Sequence, residues 1–166
     1  MVKRAVCVFG FLGLGTLADA GTSTANLGVT ATVVSSCTIT AGTVAFPNYD
    51  AVTGTQIDGT GTLTVACSKG AITTITLGQG SNANTGSTDI LPLRRMKNTS
   101  TTDMLSYSLF SDSTRLVTWG NTALTGKAYV PASSAPTNVT VYGRITAAQD
   151  IPAGSYADTV VATISF

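Results

Sequence analysis

Histidine and glutamate are both absent from this chain, and only 10% of its 166 residues are charged. Each gap excludes something. Without His or Glu, general acid–base chemistry would fall to Asp, Lys, Tyr or Cys. Beyond residue 20 the aspartates are Asp50, Asp58, Asp89, Asp103, Asp112, Asp150 and Asp158, scattered in turn-like contexts. They are too sparse for a calcium loop. No histidine accompanies the cysteines as a metal ligand, and no Gly-Lys-Ser/Thr phosphate loop occurs. Neither an enzyme nor a cofactor is expected.

Clustered positive charge is also scarce. Arg94-Arg95-Met96-Lys97 is the one basic cluster and reads as a solvated loop or edge strand. Nucleic acids and anionic membranes reward clustered Lys and Arg, so neither is an expected partner. A bilayer span needs about 20 apolar residues, and polar residues interrupt every apolar run after residue 20. No membrane insertion is expected.

The chain opens with Lys3 and Arg4, a short apolar run from Ala5 to Leu17, and Ala18-Asp19-Ala20. That order is the layout of a secretory signal peptide with a small-x-small cleavage site. A membrane anchor is the competing reading, and cleavage a few residues away is equally compatible. Removing residues 1–20 leaves 146 residues, enough for one domain with its own core. Lys3, Arg4 and Asp19 leave too, so nine basic and eight acidic residues become seven and seven. Cys7 leaves as well, and an even pair remains, Cys37 and Cys67. In an exported protein that pair reads as one disulfide, with two buried thiols as the alternative. Closing a loop of about thirty residues would stabilise the fold by roughly 3–4 kcal/mol.

Thr, Val, Ala, Ser and Gly dominate the rest, a composition that suits pleated strands better than helices. Period-two alternation recurs in Leu63–Cys67, Ile72–Leu77, Leu105–Leu109, Val139–Gly143 and Val160–Phe166. Turn formers punctuate these runs, among them Asp58-Gly59, Gly120-Asn121 and Pro152-Ala153-Gly154. The pattern predicts an all-β sandwich of immunoglobulin-like size. Residues 79–89 read as a mobile surface loop.

Residues 21–34 are the most informative. Ala25, Leu27, Val29, Ala31 and Val33 fill every odd position, with Thr24, Asn26, Gly28, Thr30 and Thr32 between them. Periodicity leaves two readings level. One is an ordinary first strand; the other is a strand donated to an open groove on another molecule. At the far end, Val160, Ala162, Ile164 and Phe166 form an apolar strand face, and the terminal aromatic predicts a packed terminus. A sandwich missing its last strand would expose an apolar groove and unpaired edges.

Ser36-Cys37-Thr38-Ile39 leads into Val44-Ala45-Phe46-Pro47-Asn48-Tyr49-Asp50, and Gly61–Cys67 follows. Then come Leu105–Asp112, Trp119-Gly120, Val141-Tyr142-Gly143-Arg144-Ile145 and Gly154–Thr159. In order and spacing this resembles the spore coat protein U family, which includes pilins of archaic chaperone–usher systems. Pro47 departs from the pattern, where a small residue such as Gly is expected.

The resemblance implies an incomplete immunoglobulin-like sandwich lacking its last strand, spanning 35–166 and preceded by a donor strand at 21–34. It implies a structural subunit of a cell-surface pilus that supports adhesion and biofilm formation. The subunit would be exported to the periplasm and then to the cell surface. Partners would be a periplasmic chaperone, an outer-membrane usher and further copies of itself or related pilins. Ala25, Leu27, Val29, Ala31 and Val33 would enter a neighbour's groove, flanked there by Val160, Ala162, Ile164 and Phe166. Cys37 and Cys67 would clamp the early strands. A single domain fits a shaft or minor subunit. A coat component is one alternative; a carbohydrate-binding adhesin using Tyr49, Trp119, Tyr129 or Tyr142 is another.

Overall fold

Alternation decides which residues of each strand turn inward, and β2 (Ile57–Cys67) shows it best. Leu63, Val65 and Cys67 are buried while Thr64 and Ala66 between them are not. The computed structural model describes residues 20–166; the expected signal peptide, apart from Ala20, lies outside them. The chain divides into an N-terminal unit ending at Thr32 and a second unit, Val33–Phe166. Residues 20–32 belong to no strand, and each is exposed.

The second unit is all-β in its described elements. β1 (Cys37–Ala41), β2, β4 (Arg94–Asn98), β5 (Met104–Phe110), β7 (Thr137–Ile145) and β8 (Tyr156–Ala157) form a six-stranded sheet. Its order is β1-β2-β7-β5-β4-β8, antiparallel throughout. β3 (Thr73–Leu77), β6 (Lys127–Tyr129) and β9 (Ala162–Ser165) form a second sheet in the order β6-β3-β9. Between the sheets lie Leu63, Val65, Ile75, Leu77, Leu105, Leu109, Val139, Val141, Ile145 and Trp119. The sandwich expected from the alternation is what the chain builds.

Trp119 is fully buried, its indole N–H donating to the Ile75 carbonyl at 2.8 Å. A buried indole needs such a partner, and this one makes Trp119 core rather than a glycan platform. In β3 the inward face is Thr73, Ile75 and Leu77, leaving Ile72 outside. Thr73 tolerates burial because its hydroxyl donates to the Tyr129 carbonyl at 2.6 Å.

Two expectations need correction. The basic run is neither a loop nor a free edge. It is β4, paired on both sides, and Arg94 is only 1% exposed. Its guanidinium donates to the carbonyls of Leu77, Gly78 and Trp119, each at 2.8 Å, which replaces lost water. The loop at 79–89 is also tied down. Arg95 donates to the Asn82 and Ala83 carbonyls, and the Asn84 N–H to the Leu93 carbonyl.

Candidate functional site

An edge strand exposes unpaired N–H and C=O groups, and here edges converge on one opening. β1 edges the large sheet at one side and β8 at the other, while β9 edges the small sheet. After β1 the chain runs on across β2: the Gly42 N–H donates to the Thr62 carbonyl and the Ala45 N–H to the Thr60 carbonyl. Residues 41–52 therefore make one bank of a groove, and residues 151–162 make the other.

The groove has two clefts that share Val44, Phe46, Met96 and Tyr156. The upper one, about 400 Å³, reaches Leu63, Leu77, Leu109 and Val141 of the core. The lower one, about 780 Å³, lies over Leu105 and Ile145 between Tyr49 and Ile151. Val44, Phe46, Met96, Tyr156 and Val160 pack on the core yet remain half-buried. The core thus opens to solvent along a trough between two strand edges.

Glycines shape its floor. Gly59 and Gly143 face each other across β2 and β7. A methyl group on Gly143 would stand 2.6 Å from the Phe46 ring, and one on Gly59 would collide with the Ala45 carbonyl. Only bare backbone lets the 43–46 bank lie this close. Phe46 then meets Tyr107 edge-on, with ring centroids 6.3 Å apart. Sequence reasoning missed this patch. Its signal was the Gly59-Thr60-Gly61 run inside a strand, since strand glycines mark close backbone approach.

The upper cleft holds a hydrogen-bonded polar pair. The Tyr107 hydroxyl donates to an Asp158 carboxylate oxygen at 2.7 Å, and both residues line the upper cleft. Burial, then the bond to Asp158, pushes the Tyr107 phenol well above its ordinary range. Burial likewise pulls Arg94 down to about 10. Among the described residues no group of three or more Asp, Cys, Glu or His is placed to hold a metal.

Cys37 and Cys67 are bonded, joining β1 to β2 at the register pair Cys37↔Cys67. Val160 and Ala162 line the upper cleft; Ile164 lies beyond it on the same face, half-buried against the core. Phe166 departs from the expectation of a packed terminus. It is 59% exposed because the β9 ladder ends at Thr74↔Ser165, one residue before it. Leu27 and Val29 are 88% and 86% exposed, and Ala25, Ala31 and Val33 are exposed too. Tyr49, Tyr129 and Tyr142 are half-buried.

The spore coat protein U domain model matches residues 23–163, nearly the whole chain after the expected leader. The chain belongs to the spore coat protein U domain family. The resemblance read from the motifs is therefore correct. Within the family it is similar to Protein U of Myxococcus xanthus, 47% identical over 158 residues. That match covers 90% of this chain and 88% of its relative. Among solved structures it resembles a chain of the CsuC–CsuE chaperone–tip adhesion subunit pre-assembly complex from archaic chaperone–usher Csu pili of Acinetobacter baumannii. The TM-score is 0.58 at 22% identity, over 81% of this chain and 41% of that one. The chain thus spans about two fifths of the neighbour's length. At that identity the likeness shows the fold, an immunoglobulin-like sandwich.

Proposed function

We propose that this family member is a structural subunit that assembles by donor-strand complementation, residues 25–33 of one copy filling the groove of the next. The observation that carries the reading is the groove itself, a trough whose floor is the apolar core, between strand edges that have no partner among the described residues. A strand entering it would supply main-chain hydrogen bonds to the edges and side chains to the clefts. Residues 25–33 would extend about 30 Å. Burying Leu27, Val29 and Val33 would contribute roughly 1.5–3 kcal/mol each. Donor and acceptor surfaces differ, so the contact propagates as an open filament rather than closing as a dimer.

Export through a signal peptide, a periplasmic chaperone that fills the groove until a neighbour arrives, and an outer-membrane usher complete the reading. So does a cell-surface pilus serving adhesion and biofilm formation. The match to a structure from chaperone–usher pili supports this route. The family's spore coat description, and its M. xanthus relative, favour a second reading, in which the same polymer forms a coat.

A tethered strand tests the acceptor role. A second copy of residues 21–34, joined after Phe166 by a flexible linker, should give a monodisperse monomer that melts well above the parent chain. The parent should associate or aggregate. In the parent chain, without the tethered strand, Leu27→Asp should abolish the filaments seen by electron microscopy. Unchanged melting in the tethered chain, or normal filaments from Leu27→Asp, would contradict the proposal.

A further inference from the structure

Between β8 and β9 the chain leaves the edge of one sheet for the edge of the other. Residues 158–161 belong to neither strand, yet they are part of the bank of the upper cleft. Two backbone ties hold this crossing: the Gly78 N–H donates to the Val161 carbonyl at 2.9 Å, and the Ser81 N–H to the Thr159 carbonyl at 3.0 Å. The Ser81 hydroxyl also donates to the Thr159 carbonyl at 3.2 Å, and the crossing's own Asp158 side chain adds a further tie. One oxygen of Asp158 accepts from the Tyr107 hydroxyl at 2.7 Å. The other accepts from the Asn82 backbone N–H at 3.2 Å and its side-chain amide at 3.0 Å. Tyr107 stands on β5 of the large sheet, and Asn82 follows β3 of the small one. A single carboxylate therefore pins the crossing both to β5 of the large sheet and to the loop that joins β3 to β4.

Arg94 stands behind this point. Its three bonds go to neutral carbonyls, and its Nη1 has no partner among the described residues. A buried cation held that way needs a nearby anion, and Asp158 is the carboxylate whose charge reaches it. The loop is also cut to fit. A side-chain carbon on Gly80 would collide with the Asp158 carboxylate.

We infer that Asp158 is a positioning residue of the groove, acting with Tyr107 and Asn82 to hold the 158–161 bank in its receiving shape before any strand arrives. The inference rests on the strand-acceptor reading and deepens it. A pre-shaped bank removes an ordering cost from binding, so the brace acts on the rate of strand capture more than on the completed complex. Once a strand lies in the groove, its own ladder holds the bank.

The test uses the chain carrying Leu27→Asp and Val29→Asp, which keeps its groove but cannot donate, and a fluorescent peptide of residues 21–34. Tyr107→Phe and Asn82→Ala each remove one donor to Asp158 while leaving its charge near Arg94, so both variants should fold. In the strand-free chain each should speed amide exchange at 158–163 by about tenfold or more, with β2 and β7 unchanged. Each should slow peptide capture by a similar factor, with dissociation within about twofold of the parent. Unchanged exchange at 158–163, or unchanged capture alongside faster dissociation, would overturn the brace. If the parent captures no peptide, the strand-acceptor reading fails, and the exchange measurement still decides whether Asp158 holds the bank.

Discussion

β7 and β9 carry nearly the same sequence pattern and meet different fates. Val139, Val141 and Ile145 in β7 are buried, whereas Val160, Ala162 and Ile164 at β9 are only half-buried. The difference lies in the neighbours. β7 has β2 on one side and β5 on the other; β9 has β3 alone. Alternation states which face of a strand is apolar, but burial depends on what covers that face. A face that remains half-covered in the separate subunit marks where something else belongs.

Truncating each strand sharpens the contrast. Ile145→Ala should cost about 2–5 kcal/mol in urea unfolding, as buried truncations do. Ile164→Ala in the lone chain should cost about 1–2 kcal/mol, because its side chain keeps part of its contact with water. Adding the tethered strand should narrow that gap, and a gap left unchanged would break the comparison.

The disulfide holds one bank of the groove, since β1 pairs only with β2. Replacing both Cys37 and Cys67 with Ser should lower stability by roughly 3–4 kcal/mol, measured by denaturant titration. Gly143→Ala should follow at about 1–3 kcal/mol, the range for overpacking, because the new methyl would displace Phe46 from the groove floor. Its effect on peptide capture should exceed that of an alanine at exposed Gly28, where nothing stands nearby.

The smallest effect concerns pH and a loop outside the groove. The Thr114 hydroxyl, then the N–H groups of Val117 and Leu116, hold the Asp112 carboxyl down at about 2. Unfolded, it would titrate near 3.9. A pKa lowered by folding stabilises the native state above the unfolded value, and that stabilisation is lost as pH falls toward 2. Asp112→Asn should therefore lower the melting temperature at pH 6, and the difference from the parent should shrink to a small fraction as pH falls through about 2. An equal difference at both values would exclude this origin.

Much of the fold was legible because β2, β5 and β7 are long enough for a period of two to show. β6 and β8 have three and two residues, too few to carry any period. β4 was hidden by its arginines, since no sequence pattern says that three backbone carbonyls will converge on Arg94. The disulfide followed from a count of two. The groove could only be inferred through resemblance, because its banks, 41–52 and 151–162, lie about a hundred residues apart. Local alternation describes a strand and its faces; it cannot report an absent neighbour.

The central claim is that the segment around Leu27 lies in the groove of a different copy. A photo-crosslinking side chain placed at Leu27, in assembled material mixed from isotopically light and heavy subunits, tests it most directly. Mass spectrometry should find light–heavy crosslinks to residues 41–52 and 151–162. Crosslinks confined to one copy, or landing on the outer faces of the sheets, would contradict the account.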